Sequence, residues 1–363
     1  MERIFRRAAA ADLEQFLKII DERIAWMDKH GIRQWNVTGY KRVFPREYYE
    51  RALADGDLWA LCGADGTLLA AACLFEEDRH WDDGAPTLYA HNLASALDVK
   101  DAGRDFLRHA AALASSLGKE KLRLDSAEDN EPLARWYESQ GYRAVGIVRD
   151  GPYRGTLREK SDLPGQPLPV NLLLFDGFEM LDAFGSLDVI RRLPDAQVSC
   201  VSAAGGLVKS CQGLEVQTFP AAEADKSGLL LLPGGMGTRT LVNDAAFLAL
   251  LKQFAERSVY CLSVCTGSAL LAKCGVLDGH RATSNKRAFD WAASCGAGVL
   301  WQRHARWVRD GKFYTSSGVS AGIDMALGFA ADRLGREAAQ EIATSIEYLW
   351  NDDPGRDPFS ADA

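Results

Sequence analysis

Residues 260–275, "YCLSVCTGSALLAKCG", decide how the second half of the chain is read. The apolar run Ser258–Val264 has the composition of a strand buried on both faces. It stops at Cys265, and from Thr266 onward the pattern is helical. A strand that ends in a tight turn and restarts as a helix lifts its turn residue out of the sheet, so the layout puts Cys265 at the tip. The same order recurs in "VNLLLFDGFEMLDAFGSLDVI" (170–190) and "LLLLPGGMGTRT" (229–240). Apolar strands joined by helices imply an α/β unit with a parallel sheet covered on both sides. The three turns should then meet in one crevice beyond the carboxyl ends of the strands.

The whole chain, 363 residues with 47% hydrophobic and 25% charged side chains, is long enough for two globular domains. A formal charge of −8 with mixed signs offers no electrostatic footprint for nucleic acid or an anionic membrane. Small-molecule substrates are the expected partners. The start, "MERIFRRAAAADLEQF", does not read as a signal peptide and no run has the length of a membrane span, so a cytoplasmic location is expected. The eight cysteines form no C-x-x-C pair and no zinc-type cluster with histidine, so no metal is expected.

Pro, Gly and charge replace periodic apolar residues in "RDGPYRGTLREKSDLPGQPLPV" (149–170). This seam suggests a first domain over 1–160, a linker over 161–168, a second domain over 169–352 and a frayed tail over 353–363. In the first domain, Leu13, Phe16, Leu17, Ile20, Ile24 and Met27 repeat at helical spacing, opened by a capping pattern from Asp12 to Gln15 and closed by Gly31. Two strands turning at Asp65-Gly66 come next. A strand near Tyr89–Leu93, a helix over about 102–117, a strand at Lys121–Asp125, a helix over about 132–140 and a strand at Tyr142–Val148 complete a mixed α/β domain.

Chemistry concentrates at Cys265. A helix N-terminus after the thiol favours the thiolate, and the Thr266 N–H faces the place where an oxyanion forms. Gly234 or Gly235 is positioned to supply a second N–H, because glycine lets the backbone approach a ligand. Asp182, after the first strand, reaches the same crevice, where a protonated carboxyl hands a proton to substrate. Cys261, four residues earlier, is the pattern of an inert buried thiol.

With these pieces in order, residues 169 to about 350 resemble the ThiJ/PfpI family of the class I glutamine amidotransferase-like superfamily, in particular its isonitrile hydratase-like members. The matching stretches are "LLLFDGFEMLDAFGSLDVI", "LLLLPGGMGTRTLV", "VCTGSALLAKCGVLDGHRAT" and "YTSSGVSAGIDMAL". The resemblance implies a flavodoxin-like α/β sandwich with Cys265 as nucleophile, Asp182 as its carboxylate and Gly235 as an oxyanion glycine. It implies no cofactor for this domain, and a homodimer formed through it. Where many relatives carry Thr-Thr-His-Trp, this chain reads Thr283-Ser284-Asn285-Lys286-Arg287, and Asn285 is no base at neutral pH. A relay of the protease or glutaminase kind is thereby weakened, whereas a hydration needs only thiol attack, proton transfer from Asp182 and water. His304 is read as a surface residue, and Lys286 and Arg287 either lend the mouth a positive field or are solvated. The alternative is a non-catalytic protein in which Cys265 registers oxidants and the first domain is a degenerate acyl-CoA binder.

Over residues 1–160, "WMDKHGIRQW", "LYAHNLASALDVKDAGRDFLRHAAALASSLGKEKLRLD" and "NEPLARWYESQGY" resemble a GNAT-type N-acetyltransferase. That resemblance implies acetyl-CoA as cofactor, its pyrophosphate held by backbone N–H groups of a turn and the following helix. The corresponding residues are Asp98-Val99-Lys100-Asp101-Ala102-Gly103 and then Arg104. Only Gly103 keeps its expected type, since Asp98 replaces Arg or Gln and Asp101 replaces Gly. Asp101 is equally readable as a helix cap. The resemblance puts a cofactor-side Asn at Asn130 and a general-acid Tyr at Tyr137, although Trp136, Tyr137 and Tyr142 are also readable as aromatic core. His91 is either a base on the acceptor side or a structural histidine.

Overall fold

The computed structural model describes residues 3–151 and 153–360. It falls into two units, Met1–Ala134 with Tyr142–Gln166, and Arg135–Gly141 with Pro167–Ala363. Among the described residues no helix is long and apolar enough to cross a membrane.

Unit 1 is built on β1 (Arg3–Arg7), β2 (Leu58–Gly63), β3 (Leu68–Phe75), β4 (Thr87–Ser95), β5 (Lys121–Ala127), β6 (Arg143–Asp150) and β7 (Tyr153–Lys160). Among the described residues these form one sheet in the order β1-β2-β3-β4-β5-β7-β6. Helix α1 (Ala10–Lys29) lays Leu13, Phe16, Ile19 and Ile20 against Leu58, Ala60 and Cys73, with α2 (Tyr40–Val43) and α3 (Arg46–Asp55) adding Tyr40 and Tyr49 to that core. Helix α4 (Ala102–Ser116) connects β4 to β5, and α5 (Glu131–Ser139) follows β5. The parallel pair β4–β5 is joined only over Thr87–Tyr89 and Lys121–Arg123, so the ladder opens beyond those residues. Just past the opening, β4 breaks register against β3 and Asn92 takes φ +59, with its side chain bonded to the Tyr40 and Tyr48 hydroxyls. Asparagine is among the few side chains that tolerate this left-handed conformation.

Unit 2 has the order β10-β11-β9-β8-β12-β13-β17-β16 among the described residues, with β8 (Leu168–Leu173), β9 (Ala196–Ser202), β10 (Gly206–Lys209), β11 (Glu215–Pro220), β12 (Leu229–Leu232), β13 (Tyr260–Ser263), β16 (Trp307–Asp310) and β17 (Phe313–Ser316). A separate short pair joins β14 (Arg281–Ala282) to β15 (Leu300–Trp301). The strands from β9 to β17 in that order are parallel. Helix α6 (Met180–Ile190) packs with α11 (Ala321–Leu334), and α11 packs with α12 (Arg336–Ser345). A second set joins α9 (Gly267–Lys273) to α7 (Thr238–Leu241), α8 (Ala245–Arg257) and α10 (Phe289–Ser294). Every residue of β12, β13 and β17 is buried, as continuous apolar strands between two layers of helix require.

Several expectations change. The seam at 149–170 contains β7, a strand between β5 and β6 whose charged side chains find polar partners: Arg158 bonds Ser126, Glu159 bonds Arg123 and Lys160 bonds Asp162. Strand β1 was not expected either. Helix α1 begins three residues early, capped at Ala9 instead of Asp12, with Asp12 accepting the Ala9 N–H at 2.6 Å while Gln15 turns away to accept the Leu68 N–H. The segment read as a frayed tail is packed as far as Ser360, because Pro354 accepts the Arg306 N–H, Asp357 donates its N–H to His304, and the Asp357 side chain is wholly buried. Residues 361–363 of that tail lie outside the described residues.

Candidate functional site

Strand β13 ends one residue before Val264, and Cys265 follows with φ +58. A non-glycine residue in this region costs on the order of 1–3 kcal/mol and needs its surroundings to hold it there. Here both polar groups of its backbone are tied. The Cys265 N–H lies 3.2 Å from the Ser316 carbonyl and 3.1 Å from that of Ser317, and its carbonyl accepts the Ser268 and Ser284 hydroxyls at 3.1 and 2.9 Å. A side chain at Gly267 would meet the Leu232 carbonyl at 2.7 Å, which fixes the start of α9 against β12.

Asp182 sits in the first turn of α6 and is fully buried. Its Oδ2 accepts the Gly234 N–H at 3.0 Å, while Oδ1 is buried without a well-formed hydrogen bond and the carboxyl lies beside the Cys265 thiol. Burial pushes its pKa up to about 7, only partly offset by the Gly234 N–H and the thiol. The thiol itself is not acidic. Burial first, and the Asp182 charge second, hold Cys265 well above the ordinary thiol range against the opposing Thr266 N–H and Asn285 side chain. The expectation that a helix N-terminus would favour the thiolate is therefore overturned, since α9 has only seven residues and the two opposing effects outweigh it. Cys261 is also pushed up, to about 12, by burial. What separates the two cysteines is backbone and neighbours rather than acidity.

The Gly-Gly loop comes as close as expected. A Cβ on Gly234 would stand 2.6 Å from Thr266 N, and one on Gly235, at φ +128, would stand 2.3 Å from the Gly177 carbonyl. Yet the Gly235 N–H does not face open space: it donates to Thr266 Oγ1 at 3.1 Å, a hydroxyl that Thr238 also reaches at 3.1 Å. The Thr266 N–H contacts the thiol, so Thr266 meets Cys265 through its backbone and the Gly-Gly loop through its side chain.

Asn285 uses its Oδ1 to accept the Arg287 and Ala288 N–H groups and contacts the Cys265 thiol. Lys286 is not simply solvated. Its Nζ donates to the Ala305 carbonyl at 2.6 Å and to Thr283 Oγ1 at 2.8 Å, and burial lowers its pKa to about 8. Arg287 and His304 are exposed. Ser284, Ser316 and Ser317, which hold the Cys265 backbone, were missed in the sequence. Ser316 and Ser317 show only as the "TSSG" run and Ser284 only as part of "ATSN", and neither gives a hint of what it faces. Among the described residues no group of side chains is suited to a metal ion.

In unit 1, Asp101 precedes α4 with φ +62 and makes no side-chain cap, so it takes the conformation expected of the glycine it replaces. Ala102 is buried, Gly103 is half-buried, and Arg104 pairs with Asp101 at 3.5 Å. Asn130 Oδ1 accepts the Leu133 N–H at 3.1 Å, and its amide reaches Gln34. Tyr137, in the Arg135–Gly141 stretch that groups with unit 2, is buried edge-on to Trp136. His91 Nε2 lies 2.8 Å from Asp78 Oδ2.

A cysteine in a left-handed turn between a central parallel strand and a helix, beside a buried carboxyl, defines unit 2 as an α/β protein with a nucleophile-elbow site. The chain belongs to the DJ-1/PfpI family, whose model matches residues 169–332. An isonitrile hydratase from Pseudomonas putida is 35% identical over 182 residues, half of this chain and 78% of that protein. Protein dj-1beta of Drosophila melanogaster is 25% identical over 50% of this chain and 97% of its own length. A ThiJ/PfpI family protein of known structure from Pseudomonas syringae is 30% identical, with a TM-score of 0.48, covering 56% of this chain and 82% of that one. The family match starts at residue 169, so unit 1 lies outside it.

Proposed function

We propose that unit 2 hydrates a small electrophile at Cys265, with an isonitrile as the substrate class. The observation that carries this reading is the pairing of a thiol in a left-handed turn with a buried carboxyl whose pKa is near neutrality, where a proton carrier works best. The ionised Asp182 takes the thiol proton while Sγ bonds to the terminal carbon of the isonitrile. The same proton passes to that carbon and leaves a thioimidate. Water adds to the carbon, a proton moves to nitrogen, and the C–S bond breaks to return the thiol. One isonitrile and one water give one N-substituted formamide, with no change in oxidation state of the enzyme. The likeness to the Pseudomonas putida isonitrile hydratase supports this choice of substrate. Formamide release by the wild type, lost in Cys265→Ser and reduced at least roughly 100-fold in Asp182→Asn, is the expected result for a lost general acid-base; unchanged turnover in both overturns it.

In a second reading Cys265 registers oxidants by forming a sulfenate; its 7% exposure and a thiol held well above the ordinary range oppose this, because oxidation follows thiolate character and exposure. Mass spectrometry after exposure to an isonitrile and to peroxide separates the readings: a turning-over adduct identifies the enzyme, stoichiometric oxidation alone the sensor.

For unit 1 the reading is an acyl-CoA-binding domain of the GNAT type. The sheet order, the opened β4–β5 pair and an α4 N-terminus without a side-chain cap support it. The Asp101 carboxylate beside the Ala102, Gly103 and Arg104 amides opposes it. Acetyl-CoA at millimolar concentration should raise the melting temperature, and no shift refutes the assignment. Pairing of two copies through unit 2 completes the reading, supported by exposed Leu207 and Met236, 65% and 70% accessible; light scattering at micromolar protein tests it.

A further inference from the structure

Three backbone hydrogen bonds run in series from the end of the chain to the candidate nucleophile. Arg306 donates its N–H to the Pro354 carbonyl at 2.9 Å, Ser317 donates to the Arg306 carbonyl at 2.8 Å, and Cys265 donates to the Ser317 carbonyl at 3.1 Å. A parallel route starts one residue earlier. The Ala305 carbonyl receives Lys286 Nζ at 2.6 Å, and Lys286 adjoins Asn285, whose side chain contacts the thiol.

The 304–306 loop on which both routes depend is anchored by a buried guanidinium. Arg306 is buried, with Nε and Nη2 each 2.6 Å from Asp324 Oδ2 and Nη1 3.8 Å from Asp357 Oδ1. Asp324 and Asp357 are both wholly buried. The segment after Trp350 is fastened to the same carboxyl, since Asn351 donates its N–H to Asp324 Oδ1 at 2.9 Å and Trp350 Nε1 donates to the Asp324 carbonyl. Asp357 then returns its N–H to the His304 carbonyl at 2.8 Å. A buried cation between two buried carboxylates is a directional fixture, because misplacing any one of them strands a charge without a partner.

We propose that residues 351–360 are a strap that positions the candidate nucleophile, with Arg306 and Asp357 as its positioning residues. The strap holds the Ser317 carbonyl where it keeps Cys265 at φ +58, and holds the Ala305 carbonyl where it fixes Lys286 and hence Asn285. With the strap released, Cys265 relaxes toward an ordinary backbone conformation and its thiol leaves the Asp182 carboxylate. A thiol out of that charge titrates nearer the normal range, so it becomes more reactive toward a simple alkylating agent and less useful beside Asp182. The proposal rests on Cys265 being the reactive group of unit 2, but not on which substrate it takes.

The test uses the full chain, its Asp357→Asn variant and a chain ending at Trp350. Each is alkylated with iodoacetamide between pH 7 and 10, with the modified cysteines resolved by peptide mass spectrometry. Cys211 is exposed and reports on the reagent, while Cys261 is inaccessible inside β13 and reports on unfolding. The expected result is a rise of roughly ten-fold in the Cys265 rate at pH 8, the thiolate gain from about one pKa unit, with Cys261 still silent. A Cys265 rate that is unchanged, or that rises only in step with Cys261, overturns the proposal. If the shortened chain fails to fold, the isosteric Asp357→Asn variant carries the decision. Loss of hydration with an altered Cys265 profile leaves the strap standing, whereas absence of hydration in the wild type bears only on the substrate.

Discussion

Replacing Asp182 by Asn should stabilise unit 2 above neutral pH while damaging its chemistry. The carboxyl is fully buried, and burial moves its pKa from an ordinary 3.8 to about 7. A raised carboxyl pKa means that the folded protein holds a proton that the unfolded chain has already released, so stability falls as pH rises between the two values. Below the unfolded value both states are protonated and the group contributes no slope. Above about 7 the full penalty applies, and three pKa units correspond to a ceiling of about 4 kcal/mol. In a unit of this size 1 kcal/mol moves the melting temperature by roughly 2–4 °C, which sets an upper limit of roughly 8–16 °C. Asn keeps an oxygen to accept the Gly234 N–H, so the comparison isolates the charge. Thermal melts of wild type and Asp182→Asn at half-unit steps from pH 4.5 to 8.5 provide the assay. The variant should gain on the wild type steadily up to about pH 7 and level off beyond it. A melting difference that stays flat over this range refutes the reasoning, because it means that the carboxyl titrates normally.

Gly234→Ala should cost about 1–3 kcal/mol and lower turnover together, since its Cβ meets Thr266 N and Oγ1 at 2.6 Å and Asp182 Oδ2 at 3.0 Å; melting and kinetics of the same variant check it. Gly318→Ala drives a methyl to 2.3 Å from Asn285 Nδ2 and should change Cys265 alkylation by displacing that amide, with Cys261 silent as the folding control. Arg123→Ala should destabilise unit 1 by about 1–3 kcal/mol in urea unfolding, because it takes from the buried Glu159 carboxylate the guanidinium that Asp83 and Trp81 hold in place and leaves it only Lys121, at 3.0 Å.

How far the sequence discloses this molecule depends on whether a feature is local. The three strand-turn-helix units of the second half are local, and they place Cys265, Asp182 and the Gly-Gly loop on one rim before any tertiary contact is known. Strand β7 escapes detection because Arg158, Glu159 and Lys160 look like linker charge, and their partners on β5 and after β7 lie outside any sequence window. The thiol acidity was misjudged for a related reason. The helix after Cys265 is visible in sequence, whereas burial and the approach of Asp182 are products of packing. Likewise, β13 pairs with β17, some fifty residues on, and only this pairing brings the Ser316 and Ser317 carbonyls to the Cys265 N–H. What the Gly235 N–H meets is hidden as well, because it depends on one side-chain rotation, that of Thr266.

That rotation gives the site a surrogate ligand. The Thr266 hydroxyl occupies the Gly235 amide with an oxygen of the protein's own, braced from behind by Thr238. In the proposed hydration the isonitrile brings no oxygen, so the oxygen that arrives there is the attacking water's, which exchanges with an equivalent hydroxyl and gains little in the ground state. It outcompetes the hydroxyl only as it gives up its proton, which shifts discrimination away from binding and into the transition state.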